Sequence, residues 1–264
     1  MNPSRFVLTD RQWLAIEPLC PGGVAAPGRT GNDTRLFLEA VLWIVRTDAP
    51  WRDLPLDFGN WNSIFRRFRR WVQADVFQRI FDTLSEEPDM EYAMIDATIV
   101  KVHRHGMGAK GGEGRCAPSV RAQPRTSQAI GKSKGGWTTK ILALVDALGN
   151  LVRFILMPAN RYDTVGVTPL IKGVEFDAML ADKAFDSNWI IDDMNTRGAK
   201  IVISQRPQRL QPLEIDGEMY KWRHLIENYF QKLKDFKRIA MRSDKTDTSY
   251  AAMINLCSAI INSR

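Results

Sequence analysis

Residues 92–103 read YAMIDATIVKVH, and this stretch decides the fold. It is rich in β-branched residues and predicts a strand. One acid, Asp96, stands among its apolar residues, and the two-residue period of a strand puts it on the same face as Met94 and Thr98. A carboxylate in that setting is costly unless something binds it. The pattern also changes here, from helical periodicity upstream to strands mixed with helices downstream.

Downstream, Ile141–Ala147 and Leu151–Met157 predict two strands joined by the turn signal Leu148-Gly149-Asn150. A helix capped by Asp163, a strand over Phe176–Ala181, a helix near Ser187–Thr196 and a strand over Lys200–Ser204 follow. A long helix from about Tyr220 to Arg238 and a last one from about Thr248 to Ile261 complete the chain. That order implies an antiparallel meander extended by parallel strands, hence a mixed α/β sheet with flanking helices. Between the first two strands, His103–Thr139 is dense in Gly, Lys, Arg, Ser and Pro; about 104–139 is expected to be a flexible basic loop and a candidate nucleic-acid contact.

Upstream, residues 1–88 read as short helices. Thr9 and Gln12 form a capping-box pattern before Trp13, Leu14 and Ile16, and Asn32 or Asp33 caps an apolar helix through Phe37, Val41 and Ile44. A third helix puts Trp61, Phe65, Phe68 and Val72 on one face, flanked by Arg66, Arg67, Arg69 and Arg70; a fourth runs from Asp75 to about Leu84. Such a set suits a small helix-turn-helix-like domain gripping DNA phosphates, or a helical bundle with a solvated basic face. The domain division is therefore 1–88, helical, and 89–264, built on the mixed sheet.

Composition agrees. With 44% hydrophobic and 25% charged residues, the 264-residue chain is globular rather than disordered. Its net charge of +7 points to a polyanionic partner, and the charge is uneven: residues 101–140 carry +8 and residues 201–264 carry +4, while 1–88 are neutral. No run of about 18 apolar residues and no apolar leader segment is present, so a soluble, cytoplasmic protein with no membrane partner is expected. The three cysteines are far apart and odd in number, which argues against a disulfide framework or a CxxC metal site.

Phosphodiester chemistry uses carboxylates that hold two divalent cations a few ångströms apart. Asp96 is one candidate. Asp182 is another, ending the apolar run Ala178–Ala181 where α/β sheets place their sites. The long helix offers the third: Tyr220, Arg223, Glu227 and Lys234 fall within an arc of roughly 60° at about 100° per residue, opposite Leu225, Tyr229 and Leu233. A solvated helix face has the same look. Asp186 suits a helix cap, Asp146 turn chemistry and Lys183 a surface position; His103, His105 and Cys116 make a poor zinc cluster in so polar a loop.

The spacing Tyr220-x2-Arg223-x3-Glu227-x6-Lys234 resembles the signature of the IS4 and IS5 superfamily of bacterial insertion-sequence transposases. Ile95-Asp96-Ala97-Thr98 and Ala181-Asp182-Lys183-Ala184-Phe185-Asp186-Ser187 are similar to the IS5 family around its first two acids. Leu8–Trp13 and Trp51-Arg52-Asp53-Leu54-Pro55 resemble that family's helical N-terminal domain. The resemblance spans nearly the whole chain. It implies a DDE transposase with an RNase H-like core, with Asp96, Asp182 and Glu227 as catalytic and metal-binding residues for Mg2+, for which Mn2+ can substitute. Arg223 and Lys234 would hold phosphates, Tyr220 would stack on or hydrogen-bond DNA, and the N-terminal helices would bind terminal inverted repeats. The expected partner is double-stranded DNA, at element ends and target, in a homo-oligomeric complex. Only 44 residues separate Asp182 from Glu227, leaving no room for the large β-rich insertion of some IS4-type relatives. Two alternatives stand beside this reading: a transposase-derived protein that binds element ends without cutting, and an RNase H-like nuclease that hydrolyses without strand transfer.

Overall fold

The structure, a computed structural model, describes residues 7–22, 33–85, 87–107 and 128–263. Their contacts divide them into two compact units. One holds 7–22, 33–85, 103–107 and 233–263; the other holds 87–102 and 128–232. The first break among the described residues falls between 85 and 87, and residues 233–263 group with the N-terminal helices.

The first unit begins with α1 (Asp10–Ile16), α2 (Thr34–Thr47), α3 (Trp61–Gln73) and α4 (Val76–Leu84). The capping box is formed: the Thr9 side chain accepts from Gln12 N–H, and the Gln12 side chain accepts from the Thr9 backbone N–H. Asp33, rather than its neighbour, caps α2 by accepting from Leu36 N–H at 3.0 Å. Aromatic rings from α2, α3, α4 and the turn Trp51–Asp53 meet: Phe37 and Trp71 at 4.8 Å, Trp51 and Phe68 at 5.2 Å, Phe68 and Phe77 at 5.4 Å. Such contacts add to the burial of large rings.

The second unit is a mixed sheet of β1 (Tyr92–Val102), β2 (Gly131–Ser133), β3 (Gly136–Val145), β4 (Leu151–Pro158), β5 (Ala178–Ala181) and β6 (Lys200–Ile203). Across the sheet the order is β4-β3-β1-β5-β6. β3 is antiparallel to β1 and β4, whereas β5 runs parallel to β1 and β6 parallel to β5. This is the RNase H-like arrangement, a meander of three strands continued by two parallel ones. One face buries Ala93, Ile95, Leu142, Leu144, Met179 and Ala181 against α5 (Val167–Ile171) and α6 (Asn188–Arg197). Gly166 lets this layer close, since a Cβ there would stand 2.5 Å from Leu142 and 2.6 Å from the Met157 sulfur.

Two segments differ from the sequence reading. β2 and the start of β3 form a hairpin within the stretch expected to be loop. Its turn needs Gly136 at φ +99°, and two of its polar residues are held by partners outside the two strands: Thr139 donates to the Ala129 carbonyl at 2.7 Å, and Lys140 donates to the Arg161 carbonyl and pairs with Asp163. Cys116 and the rest of 108–127 lie outside the described residues.

The expected helix over Tyr220–Arg238 is three pieces: α7 (Gly217–Lys221), α8 (His224–Lys234) and α9 (Lys237–Ala240). Asp216 starts the first by accepting from the N–H groups of Glu218 and Met219. At Trp222–Arg223 the bonds tighten to three-residue spacing, with Arg223 N–H donating to Tyr220 and Leu225 N–H to Trp222. α8 buries Ile226, Tyr229, Phe230 and Leu233, with Leu225 only partly covered. The final helix, α10 (Asp247–Asn262), returns to the first unit, where Asn255 donates to Gln78 at 2.8 Å and Asn262 to Ser85 at 2.9 Å.

Candidate active site

Asp96 sits in the middle of β1, on the face opposite the α5–α6 layer, as the two-residue period requires. The parallel register pairs Met94 with Leu180 and Ile95 with Ala181. Asp182, one residue further along, is therefore the cross-strand neighbour of Asp96, on strands about 4.8 Å apart. Its carboxylate accepts from Ala184 N–H at 2.8 Å, which starts the short turn Lys183–Phe185.

Arg223 joins the acids. Its guanidinium donates to Asp96 Oδ2 at 3.0 Å and to Glu227 Oε1 at 2.5 Å, residues 127 and 4 positions away in the chain. Asp96 uses its other oxygen to accept from Ala97 N–H at 2.7 Å. The kink at Trp222–Arg223 turns the arginine so that its guanidinium also stands 5.9 Å from the Tyr220 ring centre. Tyr220 thus belongs to the site through Arg223, although it lies on a different helix from Glu227. Lys234, seven residues after Glu227 and two turns along the same face of α8, is exposed.

The electrostatics of the site are set first by burial and then by its neighbouring charges. Burial raises the Asp96 pKa and the neighbouring Asp182 charge adds to the rise, while the Ala97 N–H and Arg223 oppose it. Burial would lower the Arg223 pKa, but the negative groups around it, led by Asp96 and including Glu227 and Asp182, raise it. Arg223 therefore stays charged. Among the described residues, no three His, Cys, Asp or Glu side chains are already gathered to hold a metal ion; a guanidinium lies between two of the acids instead.

The other sequence candidates find ordinary work. Asp146 is buried and accepts from the N–H groups of Leu148 and Asn150 in the β3–β4 turn. Asp186 does not cap α6, whose cap residue is Ser187. It is buried, accepts from Arg206 N–H at 2.8 Å and pairs with Arg209, tying the segment after β6 to the turn that carries Asp182. Sequence reasoning missed this pair because its members are 23 residues apart in a stretch without periodicity.

The four arginines of α3 divide. Arg66 and Arg70 are exposed. Arg67 donates to Thr34 Oγ1 at 2.6 Å and lies over the rings of Phe37 at 4.5 Å and Trp71 at 5.2 Å. Arg69 donates to Thr246 Oγ1 at 3.2 Å and to Ser249 Oγ, at the start of α10.

An RNase H-like sheet with one acid on its central strand and another just past the end of the parallel strand beside it is the mark of a class of enzymes that transfer phosphoryl groups in nucleic acids. The comparisons narrow it. The family described as "Transposase DDE domain" matches residues 87–262, and that described as "Putative transposase of IS4/5 family" matches residues 8–81. The chain belongs to the DDE transposases of the IS4/5 type. It is 34% identical over 129 residues to a Brucella ovis protein, "Putative transposase for insertion sequence element IS6501", covering 47% of this chain and 97% of that one. It is 39% identical over 111 residues to the protein y4sN of Sinorhizobium fredii, 42% of this chain and 89% of that one. A solved Mos1 mariner paired-end complex with Mn covers 95% of this chain and 84% of its own at 12% identity and a TM-score of 0.27. No helix among the described residues is long and apolar enough to cross a membrane.

Proposed function

We propose that the chain cuts DNA at the ends of an insertion sequence and joins those ends to target DNA, with Asp96, Asp182 and Glu227 as the catalytic acids. One observation carries the reading: Arg223 binds Asp96 and Glu227 together, and Asp182 is the cross-strand neighbour of Asp96. Three acids and one guanidinium from three separate chain segments have no evident purpose as a packing device.

The donor chemistry fits a divalent cation. Carboxylate oxygens suit Mg2+ or Mn2+, and burial, with the Asp182 charge beside it, raises the Asp96 pKa in spite of Arg223, a setting that a bound cation would relieve. Asp96, Asp182 and Glu227 would hold the ions, which when bound activate the attacking oxygen and stabilise the leaving one. Arg223 is placed to take a phosphate oxygen through the same donors that now hold Asp96 and Glu227. Tyr220 fixes its guanidinium from the side. Lys234 offers a second cation to the strand, while Arg66 and Arg70 contact phosphates of double-stranded DNA at the terminal inverted repeats. Two element ends must be joined in one reaction, so the working form is a homo-oligomer on DNA, in the cytoplasm.

Asp96→Asn tests this directly. The variant should bind element-end DNA as the parent does and lose strand nicking in Mg2+ or Mn2+. Nicking at the parent rate would remove Asp96 from the chemistry.

A further inference from the structure

We propose that the target duplex is seated on a cationic, partly apolar surface beside Asp182, on the side of the sheet away from Arg223. This rests on the reading of the site as a centre that joins element ends to target DNA. β5 stops at Ala181, level with Ile95, while β1 runs on to Val102. Residues of β1 alternate between faces, so Ile99 and Lys101 lie on the face of Ala93, Ile95 and Ala97, where the α5–α6 layer no longer covers the sheet. Lys101 is exposed, and Ile99, an apolar side chain in mid-strand, is 50% exposed.

The segment after β4 continues this surface. Lys140 is the cross-strand partner of Ile99, and its ammonium pairs with Asp163 and donates to the Arg161 carbonyl. That bond brings the segment from Arg161 to Val165 alongside Ile99. Arg161 is exposed, Tyr162 is 84% exposed and Val165 61%. The turn Asp163–Gly166 packs against Lys183–Phe185, the turn that follows Asp182, and Lys183 is exposed too. Asp163 is neutralised by Lys140, whereas Lys101, Arg161 and Lys183 have no acidic partner among the described residues.

Charge and geometry select the occupant. Three free cations among exposed apolar side chains suit the phosphates and sugars of a duplex gripped without regard to sequence. The surface starts at Lys183, next to Asp182, and ends at Lys101, five residues along β1 from Asp96. At about 3.3 Å per strand residue that is roughly 16 Å, or about five nucleotides at 3.4 Å each. An in-line displacement sets the attacking and leaving oxygens on opposite sides of one phosphorus. Where Arg223 holds the element strand on the Asp96 face, the target strand must come to the same acids from the other side, and this surface is what it meets.

Strand joining by the full-length protein, with a pre-cut element end and a supercoiled plasmid as target, tests the seat. Each phosphate contact contributes about 0.9 to the salt slope, or roughly eightfold at 0.1 M against 1 M salt, so Lys101→Ala/Arg161→Ala should raise the plasmid concentration for half-maximal joining roughly 60-fold. Binding and nicking of the element end should stay at parental levels. An unchanged half-maximal concentration, or an equal loss of end binding, would overturn the seat. A crosslink reads the placement without removing a contact: Val165→Cys, labelled with an azidophenyl photocrosslinker, should attach to the target strand above the background of the labelled parent. Attachment to the element end alone, or none, would refute the proposal. Made in Asp96→Asn, the same crosslink separates the two readings, since it reports target seating whether or not nicking needs Asp96.

Discussion

The exposed and the engaged arginines of α3 should fail in opposite ways when replaced. Arg66 and Arg70 are exposed, so the double change to alanine removes charge with little packing. Each phosphate contact contributes about 0.9 to the slope of log affinity against log salt, so the pair should lower that slope by about 1.8. The melting temperature should move little, since exposed substitutions usually stay within about 0.5 kcal/mol. Arg67 is the reverse case. Arg67→Ala removes one hydrogen bond, worth about 1 kcal/mol, and two ring contacts, worth about 0.5–1 kcal/mol each in a half-buried setting. The expected loss is roughly 2–3 kcal/mol, or about 5–10 °C at some 2–4 °C per kcal/mol for a chain of this size.

Fluorescence anisotropy of an end-labelled element duplex across a KCl series gives the slope, and thermal unfolding of the same proteins gives the stability. The reasoning fails if Arg66→Ala/Arg70→Ala leaves the slope unchanged. It fails equally if Arg67→Ala lowers the slope while melting like the parent.

Two further outcomes follow from buried acids. Glu39 is 2% exposed on α2, with Val7 and Leu8 N–H groups donating to its carboxylate. Burial raises its pKa from 4.5 against the pull of those donors. A folded pKa above the unfolded one gives stability that is full below about pH 4.5 and lost as pH rises through the folded value. The melting temperature of the parent minus that of Glu39→Gln should therefore fall between acid and neutral pH, and a rising difference would contradict the assignment. For Asp186→Ala, the Arg209 charge is left without its acid and Arg206 N–H without its acceptor; breaking such a buried pair costs about 3–5 kcal/mol. Denaturant unfolding reads that cost, and a value under about 1 kcal/mol would show that the pair does not hold the segment after β6.

Local signals carried much of the fold. Thr9 and Gln12 sit three residues apart and cap as that spacing dictates. The strands were legible because β-branched runs alternate around Asp96, and the order of strands and helices then leaves few topologies. The hairpin of β2 and β3 was hidden because its stability comes from Thr and Lys side chains bonded to distant partners, which in sequence look like loop. The break at Trp222–Arg223 was hidden for a related reason. Nothing between Tyr220 and Arg238 disfavours a helix locally, and what tightens the turn is tertiary, the reach of Arg223 to Asp96 on a strand 127 residues earlier. Arg67 and Arg69 show the limit of reading a charged face, since composition is the same whether a guanidinium meets solvent or a ring.

The same reach sets the charge balance of the site. Asp96, Asp182 and Glu227 surround a single guanidinium, leaving the four groups with two negative charges in excess. A DNA phosphate brought to such a place is repelled, and the repulsion is strong where burial lowers the dielectric response. The chain's net charge of +7 attracts DNA, but a net charge summed over the whole chain does not by itself cancel a local excess within one site. Counter-charge must therefore arrive with the strand. Divalent cations, if held by the three carboxylates as proposed, would supply it, and would free Arg223 from Asp96 and Glu227 to face the phosphate. On this account cation and DNA favour each other's binding through one shared residue, and Arg223 serves as the placeholder that makes the buried acids tolerable until both are present.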